Sequence, residues 1–206
     1  MTVLSIDFDI CMWQDIELYN NLVNSYKTID GVIEKFPALQ NVRFDAELYN
    51  RLTELVALLA RKLPVNKIHF INSHEEIVPL LRNGKHDNKV INIDHHHDIR
   101  YHLDDDAKPS DFAGCANWVK FLYDNNMIEK YFHVGDFNST RPMPEDAALL
   151  TEFIPIHESG LNHFSEEVDE LCICLSPAWV PAQYHGLFEA WATMLGVMKN
   201  TKYKYK

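Results

Sequence analysis

The chain contains few residues of the kinds that interrupt regular structure or mark low complexity. Its 206 residues include 7 glycines and 9 prolines, which excludes a collagen-like or linker-like chain. No apolar run approaches the roughly 18 residues that a membrane-spanning helix needs, so we expect no membrane partner. The hydrophobic fraction of 47% instead predicts a folded chain with a sizeable core.

Cysteine is also scarce, and its spacing excludes the common cysteine motifs. The sequence has no CxxC pair, and we read no secretory signal in it. We therefore expect reduced, mostly buried thiols in a cytoplasmic protein. The four cysteines are Cys11, Cys115, Cys172 and Cys174.

Basic residues are few relative to acidic ones. The chain has 19 lysines and arginines against 30 aspartates and glutamates, a formal net charge of -11. Nucleic acids are bound through cationic groups that neutralise phosphates, so this balance argues against a nucleic-acid partner. It favours a cationic or neutral partner and leaves the oligomeric state open.

Apolar runs rich in β-branched residues alternate with helical patterns along the chain. The strand-like runs are TVLSIDFDI, KIHFI, VINI, KYFHVGDF, EFIPIH and LCICLS, and helical spacing covers residues 16–36 and 45–62. This alternation predicts an α/β fold, a three-layer α/β/α arrangement around a mainly parallel sheet. At this length, one domain over residues 1–206 is the simplest organisation.

The stretch VINIDHHHD, residues 90–98, carries the most informative polar pattern. An apolar strand ends there, and side chains on an extended backbone alternate between two faces. Asp94, His96 and Asp98 would then point to one side, while His95 and His97 point to the other. Carboxylate, imidazole and carboxylate at a spacing of two make a row suited to holding a metal ion.

Two other strand ends carry candidate ligands. In the first strand, Asp7 and Asp9 share a face that needs a compensating partner. His74 follows a later strand, after Ser73, which we expect to cap a helix. Because one strand–helix–strand unit separates His74 from Asp94, we expect those two strand ends to be neighbours in the sheet.

Together these positions predict a site for two metal ions. Like charges raise one another's pKa, so four close carboxylates need cations, and two divalent ions balance them. Oxygen-rich ligation favours Mn(II), with Mg(II), Fe(II) or Zn(II) as other possibilities. The six candidate metal ligands are Asp7, Asp9, His74, Asp94, His96 and Asp98.

These motifs resemble those of the arginase and agmatinase superfamily. The D-x-H-x-D of residues 94–98 with an upstream histidine, and the S-x-D-x-D of residues 5–9, are similar to its metal-binding motifs. Here the second motif comes first, which resembles the small, circularly permuted arginase-like proteins that include peptide arginases. The resemblance implies a Mn-dependent amidinohydrolase that converts arginine to ornithine in a precursor peptide or acts on a small guanidino compound. By this analogy Asp7 and Asp94 bridge the two ions.

The resemblance also implies substrate and proton-transfer groups. Candidates for the proton shuttle are His102 and His185, and candidates for orienting the guanidinium group are Glu75, Glu76 and Glu158. Asn117, at a predicted helix start, and Trp179, in the loop after the last strand, are candidate substrate contacts.

Two other functions remain open. Asp94-His95-His96 also resembles the motif of DHH phosphoesterases, which bind two Mn(II) ions, but no histidine precedes Asp7 as that family's first motif requires. A non-catalytic metal-binding protein is the third hypothesis. Release of urea, release of phosphate, or metal binding without turnover would distinguish these three.

Overall fold

A computed structural model describes residues 1–13, 42–82, 87–99, 117–135, 151–157, 160–177 and 179–196. The helix predicted over residues 16–36, together with Cys115, His102 and Glu158, lies outside the described residues. The prediction of one domain over residues 1–206 extends over those segments and stays a prediction.

A six-stranded parallel sheet forms the centre of the molecule, with the strand order β4-β8-β1-β5-β6-β7. Two further strands, β2 and β3, pair antiparallel beside it. The strands are β1 (Thr2–Asp7), β2 (Met12–Trp13), β3 (Arg43–Phe44), β4 (Ile68–Ile71), β5 (Lys89–Ile93), β6 (Lys130–Gly135), β7 (Thr151–Pro155) and β8 (Glu170–Cys174).

Helices cover both faces of the sheet, which confirms the predicted α/β class. One apolar cluster joins the sheet to α1 and α4, and a second joins its other face to α2 and α3. The helices are α1 (Ala46–Lys62), α2 (Val78–Arg82), α3 (Trp118–Asp124) and α4 (His185–Met194). None of the helices in the described ranges is long and apolar enough to cross a membrane.

The helix predicted over residues 45–62 is confirmed as α1. Asp45 caps it by accepting a hydrogen bond from the backbone N–H of Leu48 at 2.9 Å. Leu52, Val56 and other apolar residues at three- and four-residue spacing are buried against the sheet. The helix stops before Pro64, as the sequence indicates.

The predicted neighbourhood of β4 and β5 is wrong. Two strands, β8 and β1, lie between them in the sheet. The first strand of the chain is therefore central: β5 pairs with one of its edges and β8 with the other. The carboxyl ends of β4, β8, β1 and β5 meet at one edge of the sheet, because all four strands run in the same direction.

Candidate metal centre

Asp7 is the last residue of β1, and its side chain starts the next turn. One of its oxygens, Oδ1, accepts a hydrogen bond from the backbone N–H of Asp9 at 3.0 Å and so caps a short 3-10 helix, Phe8–Cys11. Asp9 therefore lies in this helix. Its alternation with Asp7 in the sequence had instead predicted a position on the strand. The tight turn still places both carboxylates at the same edge of the sheet.

The D-x-H-x-D segment follows β5 as a bent chain, not as the extended strand that we predicted. Asp94 Oδ1 accepts a hydrogen bond from the backbone N–H of His96 at 2.7 Å, which folds the chain back. Asp98 adopts a positive φ of 52°, a conformation that few side chains tolerate. These bends bring Asp94, His96 and Asp98 together without strict alternation.

His74 lies in a 3-10 helix, His74–Ile77, that follows β4 and runs into α2. The N-cap is Ser73, as predicted, and its backbone N–H donates to the Glu76 carboxylate at 3.1 Å. His74 Nδ1 lies 3.1 Å from Asp98 Oδ2, 3.3 Å from Asp94 Oδ2 and 3.5 Å from Asp7 Oδ2. One buried imidazole thus contacts carboxylates from β1 and from the segment after β5.

Asp94 lies between two imidazoles. Its Oδ2 is close to His74, whereas its Oδ1 lies 3.3 Å from His96 Nδ1. Asp9 Oδ2 lies 3.4 Å from the same His96 nitrogen. The two oxygens of one carboxylate therefore belong to two neighbouring groups of candidate ligands.

Three buried groups in the described residues could hold a metal ion. In each group, one ligand atom from every residue lies within 4.8 Å of the others. The groups are Asp9, Asp94 and His96; His74, Asp94 and Asp98; and Asp7, His74 and Cys174.

Buried polar atoms without hydrogen-bond partners show that this cluster of candidate ligands suits a cation. Asp9 is fully buried, yet neither of its carboxylate oxygens accepts a hydrogen bond from the described residues. His74 Nε2 is likewise buried without a hydrogen-bond partner among them. Buried polar groups in folded proteins are normally satisfied, and a cation would satisfy both the charge and the lone pairs of Asp9.

The carboxylates oppose one another's ionisation. Burial, with the nearby charge of Asp94, raises the pKa of Asp7 to about 6 and that of Asp98 to about 7. Burial and then the charges of Asp7 and Asp94 raise the pKa of Asp9 well above its usual range. Each of these carboxylates therefore takes up a proton more readily than an exposed aspartate does, and a bound cation would oppose that uptake.

The imidazoles respond in the opposite way. Burial lowers the pKa of His74, but the charge of Asp7 and the hydrogen bond to Asp98 outweigh it and raise the pKa to about 10. The pKa of His96 is raised in the same way. Burial lowers it, but the hydrogen bond to Asp94 and the charge of Asp94 outweigh burial. Burial raises the pKa of Asp94, but the His96 and His74 contacts outweigh it and lower that pKa. Asp94 is thus the carboxylate that stays ionised most readily.

A second layer of side chains, which was not expected from the sequence, holds these ligands. Asn92 Nδ2 donates to Asp94 Oδ2 at 3.1 Å, and Trp118 Nε1 donates to Asp98 Oδ2 at 2.7 Å. The Tyr131 hydroxyl donates to the backbone carbonyl of His97 at 3.1 Å. Such contacts orient ligand carboxylates and the loops that carry them.

Close packing at the end of β6 also fixes the position of Asp94. His133 Nε2 lies 3.0 Å from the Asp94 carbonyl oxygen, to which it can donate. A Cβ atom on Gly135 would come within 2.6 Å of that oxygen and 2.9 Å of the His133 ring nitrogen. Glycine is therefore required where β6 passes the ligand loop.

Replacing Trp118 by Phe tests the second layer. The change removes the donor to Asp98 and keeps most of the buried ring, so we expect affinity for divalent metal to fall about 10- to 100-fold. Isothermal titration calorimetry with Mn(II) measures this effect. Trp191→Phe is the matched control, because that ring is equally buried and its 2.8 Å bond to Thr53 lies outside the ligand groups. Equal affinities of the two variants would contradict the assigned role of Trp118.

Cys174 is the ligand candidate that the sequence reasoning missed. Without a CxxC pair we expected only a reduced, buried thiol, and Cys11, Cys172 and Cys174 are indeed free and buried. Cys174 is also the register partner of Asp7, at the end of β8. Burial and then the charge of Asp7 raise the pKa of its thiol. A cysteine at a strand's carboxyl end, two residues before Ser176, was the available signal.

Ser176 also contacts the cluster. Its hydroxyl donates to Asp7 Oδ2 at 2.5 Å and lies 3.4 Å from the Cys174 sulfur. Its backbone has a positive φ of 48°. The segment after β8 thus contributes to the site through the Ser176 hydroxyl group.

His95 and His97 form no part of the three ligand groups found in the described residues. His95 is half-buried, and its Nε2 lies 3.0 Å from the Met12 carbonyl oxygen. His97 is buried, and its Nδ1 accepts a hydrogen bond from the backbone N–H of Ile99 at 3.2 Å. Both rings therefore contact nearby backbone atoms.

The other predicted site residues differ in how close they come to the cluster. The half-buried Trp179 ring lies 5.6 Å from the His96 ring, centroid to centroid, and Asn117 precedes Trp118 at the start of α3. His185 begins α4, and its Nε2 lies 3.0 Å from the Val180 carbonyl oxygen. The Glu75 carboxylate accepts a hydrogen bond from the Ser73 hydroxyl. Its role in orienting the guanidinium group stays a prediction.

Comparisons with known proteins give no further identification: no family model, curated protein or solved structure matches the chain.

Proposed function

We propose that this protein is a Mn(II)-dependent hydrolase of guanidinium groups, converting arginine to ornithine in a peptide and releasing urea. One observation carries the proposal. The carboxylate of Asp94 lies between His74 and His96, and each imidazole belongs to a separate, buried ligand group. Two adjacent cation positions with a shared carboxylate are the arrangement that two-metal hydrolysis requires.

The same residues determine which ions would fit. Asp9, His96 and the shared Asp94 would hold one ion, and His74 and Asp98 with Asp94 the other. By the resemblance to arginases, Asp7 is proposed as a second shared ligand. Mainly oxygen ligands favour Mn(II), while Fe(II), Mg(II) and Zn(II) remain possible. When bound, such a pair supplies a water molecule that deprotonates near neutral pH.

A guanidinium group suits the surroundings of this centre. The chain has a net charge of -11, which favours a cationic substrate over an anionic one. The half-buried ring of Trp179 lies beside His96 and can stack on a planar cation. An arginine side chain could therefore lie against Trp179 with its guanidinium carbon directed to the cluster.

Hydrolysis then needs one bond made and one broken. The oxygen of water adds to the guanidinium carbon, the bond from that carbon to the ornithine nitrogen breaks, and the departing nitrogen takes up a proton while urea leaves. His185 and His102 are the proposed proton donors. The contact between His185 Nε2 and the Val180 carbonyl would fix the orientation of this ring. Glu75 and Asn117 are the remaining candidates for orienting the substrate.

The test is mass spectrometry of an arginine-containing peptide incubated with Mn(II)-loaded protein. We expect a mass decrease equal to the elements of cyanamide, matching release of urea, and little or no turnover of free arginine. His96→Ala should give no product, because it removes a ligand. His95→Ala is the matched control, and it should retain product formation because that ring contacts the Met12 carbonyl instead.

Other outcomes would reject the proposal in favour of a named alternative. Hydrolysis of a phosphodiester to a phosphomonoester and an alcohol, lost in His95→Ala, would favour the DHH phosphoesterase. Metal binding without urea or phosphate release would favour the non-catalytic metal-binding protein. Turnover of free arginine with no peptide product would support guanidinium hydrolysis but would show that a peptide is not the substrate.

A further inference from the structure

Cys174 lies where two ligand-bearing strands converge. Its strand, β8, is inserted between β4 and β1. In the ladder Cys174 is the register partner of Asp7 on one side and of Ile71 on the other. His74 follows Ile71 by three residues. The thiol therefore sits between the two segments that supply Asp7 and His74.

The distances and burial fit a ligand set. One atom each from Asp7, His74 and Cys174 lies within 4.8 Å of the others, and all three residues are buried. A second observation also points to a cation here, since the buried carboxylates of Asp98 and Asp94 lie 3.1 and 3.3 Å from His74 Nδ1 and place further negative charge beside it. The sulfur contacts Ser176 Oγ at 3.4 Å, and that hydroxyl in turn bonds Asp7.

The two neighbouring metal positions differ in their donor atoms. The group of Asp9, Asp94 and His96 offers oxygen and nitrogen alone. The position around His74 has a sulfur atom within reach as well. Thiolate ligands select softer ions such as Zn(II) and Co(II), whereas carboxylate-rich positions suit Mn(II) and Mg(II).

We propose that Cys174 is a metal ligand at the His74 position, so that this position prefers a thiophilic divalent ion while the Asp9–Asp94–His96 position keeps Mn(II). The inference rests on the metal centre of the proposed function and deepens it. The native centre is then mixed, with a zinc-like ion near Cys174 and a manganese ion near Asp9.

Cobalt(II) tests the proposal, because a cobalt–thiolate bond gives a charge-transfer absorption band in the near ultraviolet. Metal-free protein titrated with Co(II) should develop this band at the first equivalent. Cys174→Ser and Cys174→Ala should lack it and should lose roughly 10-fold or more of their preference for Co(II) over Mn(II). Circular dichroism identifies whichever of the two variants is folded.

Cys172→Ala is the matched control. Cys172 lies on the same strand and face, is equally buried, and belongs to none of the ligand groups in the described residues. Its loss should leave the band unchanged. Asp9→Asn should also keep the band, since that substitution affects the other position.

The outcomes separate this inference from the proposed function. Uptake of two Co(II) ions without the band, or a band that survives in both Cys174 variants, overturns the role of Cys174 and leaves the hydrolase proposal intact. A Cys174-dependent band in a protein that releases no urea supports the inference and counts against the hydrolase. No Co(II) uptake at all overturns both.

Discussion

Asp94→Asn is expected to bind neither metal ion and to show no hydrolase activity. The two carboxylate oxygens of Asp94 lie beside different imidazoles, 3.3 Å from His74 Nδ1 and 3.3 Å from His96 Nδ1. An amide offers one oxygen and no charge, so both positions lose an anionic ligand in a single substitution. Elemental analysis after dialysis should fall from two ions per chain to none.

Asp45→Asn is the control for the loss of one charge. Asp45 caps α1 outside the ligand groups, and asparagine caps helices equally well. This variant should retain both ions and full activity. If Asp94→Asn kept one tightly held ion, Asp94 would serve a single position, and the shared-carboxylate basis of the proposal would fail.

Asp9→Asn is expected to make the metal-free protein more stable while reducing its metal content to one ion. Asp9 is fully buried, and neither oxygen accepts a hydrogen bond from the described residues. A neutral amide carries no charge that must be buried or neutralised by a proton, and it can donate to Asp7 or Asp94. We expect a gain of about 1–3 kcal/mol in the free energy of unfolding.

Thermal unfolding with and without metal separates the two effects of Asp9→Asn. In a chain of this size each kcal/mol shifts the midpoint by about 2–4 °C. Added Mn(II) should raise the unfolding midpoint of wild type more than that of the variant, because ligands stabilise only the state that binds them. A variant less stable than wild type without metal would show that Asp9 has a structural role and is not an unsatisfied ligand.

Local patterns were enough to predict the fold class and most of the cluster of candidate ligands. The apolar strands, the capped helix α1 and the three ligand-bearing strand ends depend on short-range periodicity and capping, which one sequence reveals. Asp9, and the segment from Asp94 to Asp98, reach the cluster through turns and not through strand alternation. Their convergence was predicted, but the geometry that produces it was not.

The remaining parts of the candidate site depend on how the strands and helices are ordered in space, which no local pattern encodes. Nothing in the sequence near Cys174 shows that β8 pairs with β1, so the register of Cys174 with Asp7 could not be predicted. The same holds for Trp118 and Asp98, which are 20 positions apart in the chain. Both contacts follow from the placement of β8 and α3 in three dimensions.

The position of β8 has a consequence for how the chain folds. The hydrogen bond from Ser176 to Asp7 joins residues 169 positions apart, and β8 separates β4 from β1. Such long-range closure is slow, of the order of milliseconds to seconds for small domains rich in non-local contacts. β1 and β5 can pair first and bring Asp9 and Asp94 together. His74 gains its place beside Asp7 only when β8 enters the sheet, so we expect the two metal positions to form in sequence during folding.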